Sequence, residues 1–181
     1  MLMLPTLETE RLLLRRFEMA DAGQLTALLQ SPETTAMLMD ITTPYTQAEA
    51  EAMIRRSHQE AMEGTACRFA LERPQDFTLI GYMDIEINLT HQRGELAYWI
   101  GQPFWHQGYA TEAARRIVQF GFEELKLNRV YAYCLERNSA SARVLEQAGL
   151  IKEGVFRQGA YHHGSYEDVA FYGLLHTGFG D

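Results

Sequence analysis

Apolar positions in this chain follow two different periods, and the changes between them mark its elements. TERLLLRRF (9–17) carries a short apolar run that predicts a first strand. Leu25, Leu28 and Leu29 fall at helical spacing within 19–33, in a helix that starts near Asp21. A second helix is predicted over 46–64, with Thr46 as its cap, Glu49 completing a capping box and Gly64 ending it. The period then becomes two. CRFALER (67–73), TLIGYMDIEINLT (78–90) and GELAYWIG (94–101) read as strands, separated by Pro74-Gln75-Asp76 and His91-Gln92-Arg93. In the second of them Asp84, Glu86 and Asn88 share one face while Ile85 and Ile87 share the other, which suits antiparallel pairing.

The strongest helical signal lies at 110–126, where Ala110, Ala113, Ala114, Ile117, Val118, Gly121, Phe122 and Leu125 form one continuous stripe. A buried strand follows at 128–137 and a helix at 138–150, opened by Asn138 as N-cap and closed by Gly149. Strands at 151–158 and 166–175 finish the chain. The order β-α-α-β-β-β-α-β-α-β-β contains one strand-helix-strand crossover, so an α/β (α+β) fold with a mixed sheet and helices on both faces is expected.

Composition narrows the function classes. At 181 residues, 46% hydrophobic and 22% charged, the chain is expected to be one soluble globular domain over 1–181. Its 24 acidic against 16 basic residues, a formal charge of −8, argue against binding nucleic acid by phosphate neutralisation. Cys67 and Cys134 fit no metal or redox spacing and read as reduced thiols. With neither a signal-peptide pattern nor a bilayer-length apolar run, the expected compartment is the cytoplasm and no membrane partner is expected.

The candidate chemistry begins at FWHQGYATEA (104–113), where a strand runs through a glycine turn into a helix. A helix start presents unpaired N–H donors and the positive end of the helix dipole, and Gly108 lets the backbone come close to a ligand. Main-chain amides could hold a phosphate there without any Lys, or the turn could be a plain connection. Neither G-x-x-x-x-G-K-[ST] nor a strand-following G-x-G-x-x-G occurs, which removes P-loop kinases and Rossmann dehydrogenases.

GELAYWIGQPFWHQGYATEAARRIVQFGF and NRVYAYCLERNSASARVLEQAGLIKEGVFRQ together resemble the GNAT acetyltransferase superfamily, and more narrowly its ribosomal-protein N-terminal acetyltransferase branch. The resemblance runs from about Leu7 to Leu175. It implies a twisted, mostly antiparallel sheet of about seven strands that binds acetyl-CoA as co-substrate between two splayed central strands. Main-chain groups of Tyr98, Trp99 and Ile100 would then pair with the pantetheine arm, and the turn at Gln107, Gly108, Tyr109, Ala110 and Thr111 would take the diphosphate. Asn138 would touch the pantetheine, and Ser141 would protonate the leaving thiolate. One departure is Trp105, which stands where the family often has Gln or Arg, so the grip rests more on amides. The resemblance also admits a homodimer.

Acetyl transfer to nitrogen needs a neutral amine. Deprotonating a lysine-like amine at neutral pH costs roughly 4–5 kcal/mol, against about 1 kcal/mol for an α-amine. Glu95 is the candidate base, although it also reads as a plain exposed strand carboxylate; Glu86 and Asp84 are rivals that could equally be solvated. Cys134 lies beside the expected thioester, but a buried cysteine with no histidine partner reads as a packing residue. His162-His163 lacks a third metal ligand and suits a surface or acceptor-groove role, so no metal is expected. Tyr161 and Tyr166 could shape the acceptor mouth. The expected function is transfer of an acetyl group from acetyl-CoA to a primary amine, with a protein N-terminus as a candidate acceptor. A small cationic acceptor (polyamine, amino acid or aminoglycoside) and a non-catalytic CoA-binding sensor are the alternatives.

Overall fold

The computed structural model describes residues 4–39, 41 and 43–180. Its strands are β1 (Leu7–Glu8), β2 (Leu13–Arg16), β3 (Ala66–Arg73), β4 (Thr78–Asn88), β5 (Arg93–Ile100), β6 (Arg129–Leu135), β7 (Ile151–His162) and β8 (Ser165–Leu175). The helices are α1 (Ala22–Leu29), α2 (Pro32–Thr35), α3 (Gln47–Glu63), α4 (Tyr109–Glu123) and α5 (Ser139–Gln147). All eight strands join one sheet in the order β1-β2-β3-β4-β5-β6-β8-β7. Every pairing is antiparallel except β5 with β6, the two strands joined by the α4 crossover.

Local chemistry sets several of these boundaries. The Thr46–Glu49 capping box opens α3, and Gly64 closes it in a left-handed conformation at φ 73°. The Asn138 side chain accepts from the Ser141 amide at the start of α5. Gly149, at φ 96°, supplies the left-handed residue beyond that helix.

Differences from the sequence reading are confined to ends and turns. The chain over 9–17 is the second arm of a tight hairpin: Thr9 N–H donates to the Leu12 carbonyl at 3.0 Å, a turn marked by neither Gly nor Pro, and the two-residue β1 becomes the eighth strand. The stretch 19–33 is a 3₁₀ turn at Met19–Asp21 followed by α1, while Ser31 and Pro32 start the separate α2. Strand β7 continues to His162, so much of the polar loop expected at 159–165 is paired hairpin.

Two apolar layers cover the sheet. On one face Phe69, Leu71, Met83 and Ile85 pack against Ala113, Ile117 and Phe120 of α4 and Leu145 of α5. On the other, Ala70, Leu79 and Trp99 pack against Leu25 and Leu29 of α1 and Ala50 and Ile54 of α3. Phe120 meets Phe69 edge-on at 5.9 Å, tying α4 to the sheet centre. Phe120→Ala is expected to lower unfolding free energy by about 3–5 kcal/mol in urea denaturation. A loss below about 1 kcal/mol, the range of a peripheral side chain, would contradict that anchoring role.

Candidate active site

Strands β5 and β6 run together for three residue pairs only: Arg93 with Arg129, Gly94 with Val130 and Glu95 with Tyr131. Beyond them Leu96–Ile100 pairs with β4 alone, and Ala132–Leu135 with β8 alone. The gap opens into a cleft of about 500 Å³. Glu95 to Trp99 form one wall and Tyr133 and Cys134 the other, with Asn138, Ser141 and Leu145 of α5 also in the lining. Tyr98 braces the opening, because its hydroxyl donates to the Ser141 carbonyl at 3.2 Å.

Strand alternation decides which main-chain groups face the gap. Gly101 donates to the Ile80 carbonyl of β4 at 2.9 Å, and the Trp99 carbonyl sits against Gly81 so closely that a Cβ there has no room. Trp99 therefore turns its backbone toward β4, and Tyr98 and Ile100 turn theirs toward the opening. The Trp99 side chain is buried beneath the cleft and stacks on Tyr82 at 6.3 Å. Trp105 has a specific job: its indole N–H donates to the Ile100 carbonyl at 2.6 Å, pinning the turn to the end of β5.

At that turn Gly108 adopts φ 81°, ψ 1°, in the left-handed region. The first bond of α4 onto the turn runs from Glu112 N–H to the Gly108 carbonyl at 3.1 Å, so the amides of Gly108, Tyr109, Ala110 and Thr111 lie ahead of it. Gln107 and Gly108 are exposed, Ala110 and Thr111 half-buried, and Tyr109 is buried under Arg11. Glu112, an acid in a first turn suited to anions, is neutralised. Its carboxylate accepts from Thr9 Oγ1 (2.6 Å), Arg11 N–H (2.8 Å) and Arg11 Nε (2.7 Å). Burial would raise its pKa, but these donors hold the carboxyl below its ordinary value.

At α5, Asn138 Nδ2 donates to Ser141 Oγ at 3.1 Å while Ser141 N–H donates back to Oδ1 at 3.1 Å. With a lone pair occupied, the Ser141 hydroxyl proton is left to donate elsewhere. Cys134 is buried in the cleft wall, and burial pushes its thiol up to about 11, which disfavours a thiolate nucleophile.

All three candidate carboxylates line the cleft. Glu95 and Glu86 stand opposite each other across β5 and β4. The Tyr131 hydroxyl donates to Glu95 Oε2 at 2.8 Å, while Glu86 accepts from Arg68 Nη2 at 2.7 Å. Asp84 is only 1% exposed. It accepts from Arg68, from the Tyr82 hydroxyl at 2.7 Å and from the Ala97 amide at 3.2 Å, so it is enclosed rather than solvated. Arg68, which the sequence reading did not single out, is the hub: it also meets Glu60 at 2.5 Å. The available signal was an arginine inside the apolar strand CRFALER, in register with a strand bearing carboxylates two residues apart. His162 is buried, with Nε2 at 3.2 Å from the Leu38 carbonyl and Nδ1 at 3.4 Å from Arg137. Among the described residues no His, Cys, Asp or Glu group is arranged to hold a metal.

Residues 11–151 match the family described as "Acetyltransferase (GNAT) domain". The chain belongs to the GNAT acetyltransferases. It is 34% identical over 172 residues to p20 of Bacillus licheniformis, an otherwise uncharacterized N-acetyltransferase, covering 94% of this chain and 96% of p20. To YdaF of Bacillus subtilis, whose naming as a ribosomal N-acetyltransferase is itself provisional, it is 35% identical over 101 residues, 55% of each chain. The solved structure of RimL, a ribosomal L7/L12 alpha-N-protein acetyltransferase in complex with coenzyme A, superposes with a TM-score of 0.84 at 19% identity. It covers 94% of this chain and 98% of RimL. The mixed GNAT sheet expected from the sequence is the observed fold, and the protein is an N-acetyltransferase. Among the described residues of this acetyltransferase no helix is long and apolar enough to cross a membrane.

Burial pushes the Asp84 carboxyl up to about 7, although Arg68 opposes the shift. The folded acetyltransferase then holds this proton more tightly than the unfolded chain does. The stabilisation is full below about pH 4 and is lost as pH rises through about 7. Asp84→Asn should flatten unfolding free energy against pH over that window. An unchanged slope in pH-dependent urea denaturation would refute the raised carboxyl.

Proposed function

We propose that the protein moves an acetyl group from acetyl-CoA directly to a primary amine, and that a protein N-terminal α-amine is the acceptor class. The observation that carries this reading is the three-pair limit on β5–β6, which opens a strand edge next to a cleft lined by both apolar side chains and carboxylates. The pantetheine arm would add to that edge at Tyr98 and Ile100, with the diphosphate at the amides of 107–111. The Ile100 carbonyl, already bonded to Trp105, leaves its N–H as the free partner.

In the reaction the neutral amine nitrogen attacks the thioester carbonyl carbon. The carbonyl π pair moves to oxygen, and the tetrahedral intermediate collapses with cleavage of the C–S bond. The nitrogen gives up its proton through Glu95, directly or through water, the sulfur takes one from Ser141, and solvent returns a proton to Ser141 as Glu95 releases its own. Tyr131 keeps a hydrogen bond on the Glu95 carboxylate while the other oxygen serves as base.

Two features favour an N-terminal residue over a polycation. Leu25, Leu29, Met37, Leu38, Ile41 and Met53 make much of the lining apolar, and Arg68 already engages Glu60, Asp84 and Glu86. The name of YdaF points the same way. The low cost of deprotonating an α-amine suits a site whose base is a half-buried carboxylate.

Thiol release from acetyl-CoA, measured across peptides, polyamines and aminoglycosides, tests the reading. Release with peptides is expected. Release with small cations alone would move the acceptor to them, and no release would leave a CoA-binding module. Gly108→Glu should abolish CoA binding, since it strains a left-handed residue and sets a carboxylate at the mouth. Ser141→Ala should lower kcat by about a hundredfold with little change in acetyl-CoA KM. A KM effect without a kcat effect would make Ser141 a binding residue instead.

A further inference from the structure

The turn at 105–111 holds no Lys or Arg, yet a guanidinium reaches it from 96 residues upstream. Arg11 lies in the β1–β2 turn and spreads its donors over two targets. Nε and Nη2 contact Glu112 Oε2 at 2.7 and 2.6 Å, and Nη1 donates to the Gln107 carbonyl at 2.9 Å. Its face lies 4.8 Å from the centre of the Tyr109 ring. Nη2 would stand 3.4 Å from a Cβ placed on Gly108.

The Gln107 contact has a geometric consequence. In a trans peptide unit the carbonyl and the next N–H point in opposite directions across one plane. Arg11 draws the Gln107 carbonyl toward the N-terminal hairpin, so the Gly108 N–H of that same unit points away from the hairpin. Gly108 is the residue whose left-handed conformation gives this plane the most freedom to rotate, and therefore the one that most needs an external hold. The Glu112 contact has an electrostatic consequence. An uncompensated carboxylate in the first turn would repel an anion at the amides beside it, and Arg11 cancels that charge.

We propose that Arg11 is a positioning residue for the acetyl donor: it orients the Gln107–Gly108 peptide and neutralises Glu112, so that the start of α4 is ready for a diphosphate. The proposal rests on the diphosphate lying at this turn, as in the proposed function. It predicts a loss confined to the diphosphate part of the ligand.

The test needs no acceptor. Dissociation constants for coenzyme A and for pantetheine, which has the thiol arm but no diphosphate, are measured by titration calorimetry for the wild type, Arg11→Gln, Arg11→Lys and Gly108→Glu. Arg11→Gln is expected to weaken coenzyme A about tenfold and pantetheine by less than about twofold, the scale of one charged hydrogen bond placed badly. Arg11→Lys, which keeps the charge but not the two-way grip, should recover part of the coenzyme A affinity. If Arg11→Gln does not fold, Arg11→Lys against the wild type carries the same comparison, with a smaller loss for coenzyme A alone. Equal weakening of both ligands would make Arg11 a merely structural residue and overturn the proposal. Unchanged coenzyme A binding in the Arg11 variants, with binding lost in Gly108→Glu, would overturn it while leaving the diphosphate placement standing. Unchanged binding in Gly108→Glu would bring down the placement itself.

Discussion

Backbone N–H and C=O groups need hydrogen-bond partners, and the parting of two central strands turns those of Tyr98 and Ile100 away from their neighbour in the sheet. Strands β5 and β6 separate after Glu95 and Tyr131, while each stays bonded to its outer neighbour. The separation is built in. Tyr98 on β5 reaches the Ser141 carbonyl of α5, and Trp105 closes on the Ile100 carbonyl. Partners for the remaining groups at Tyr98 and Ile100 must come from outside the sheet, and an extended polar chain such as pantetheine has the required form.

The crossover that makes β5 and β6 parallel also sets the start of α4 at the end of the opening. Packing of Ala113, Ile117 and Phe120 against the sheet fixes the helix, so the amides of Tyr109, Ala110 and Thr111 are aimed by the core. The N-terminal hairpin completes the corner through Thr9 and Arg11. Under the proposed function an acidic protein presents an anion site whose charge balance is local: the Glu112 carboxylate in the first turn of α4 is neutralised by Arg11, 101 positions upstream.

The parts legible in the sequence were those decided by neighbours along the chain. Thr46, Glu49 and Gly64 bound α3 through contacts three or four residues apart, and Gly108 marks the turn into α4. What escaped was decided across strands. Arg68 reads as an ordinary strand residue until β3–β4 register sets it opposite Asp84, and only then does that carboxylate become buried rather than solvated. The Arg11–Glu112 pair spans 101 positions, and no periodic signal connects them. His162 looked like a loop residue because nothing local shows that β7 continues to the hairpin tip. Local propensity found the elements; register and crossover geometry made the site.

The most direct measurement is an experimental structure of the protein with coenzyme A. The account predicts diphosphate oxygens within hydrogen-bond distance of the amides of residues 108–111, and the pantetheine arm running along β5 beside Tyr98 toward Ser141. A nucleotide seated elsewhere, with the turn after Trp105 facing only solvent and the gap between β5 and β6 bridged by side chains, would contradict it.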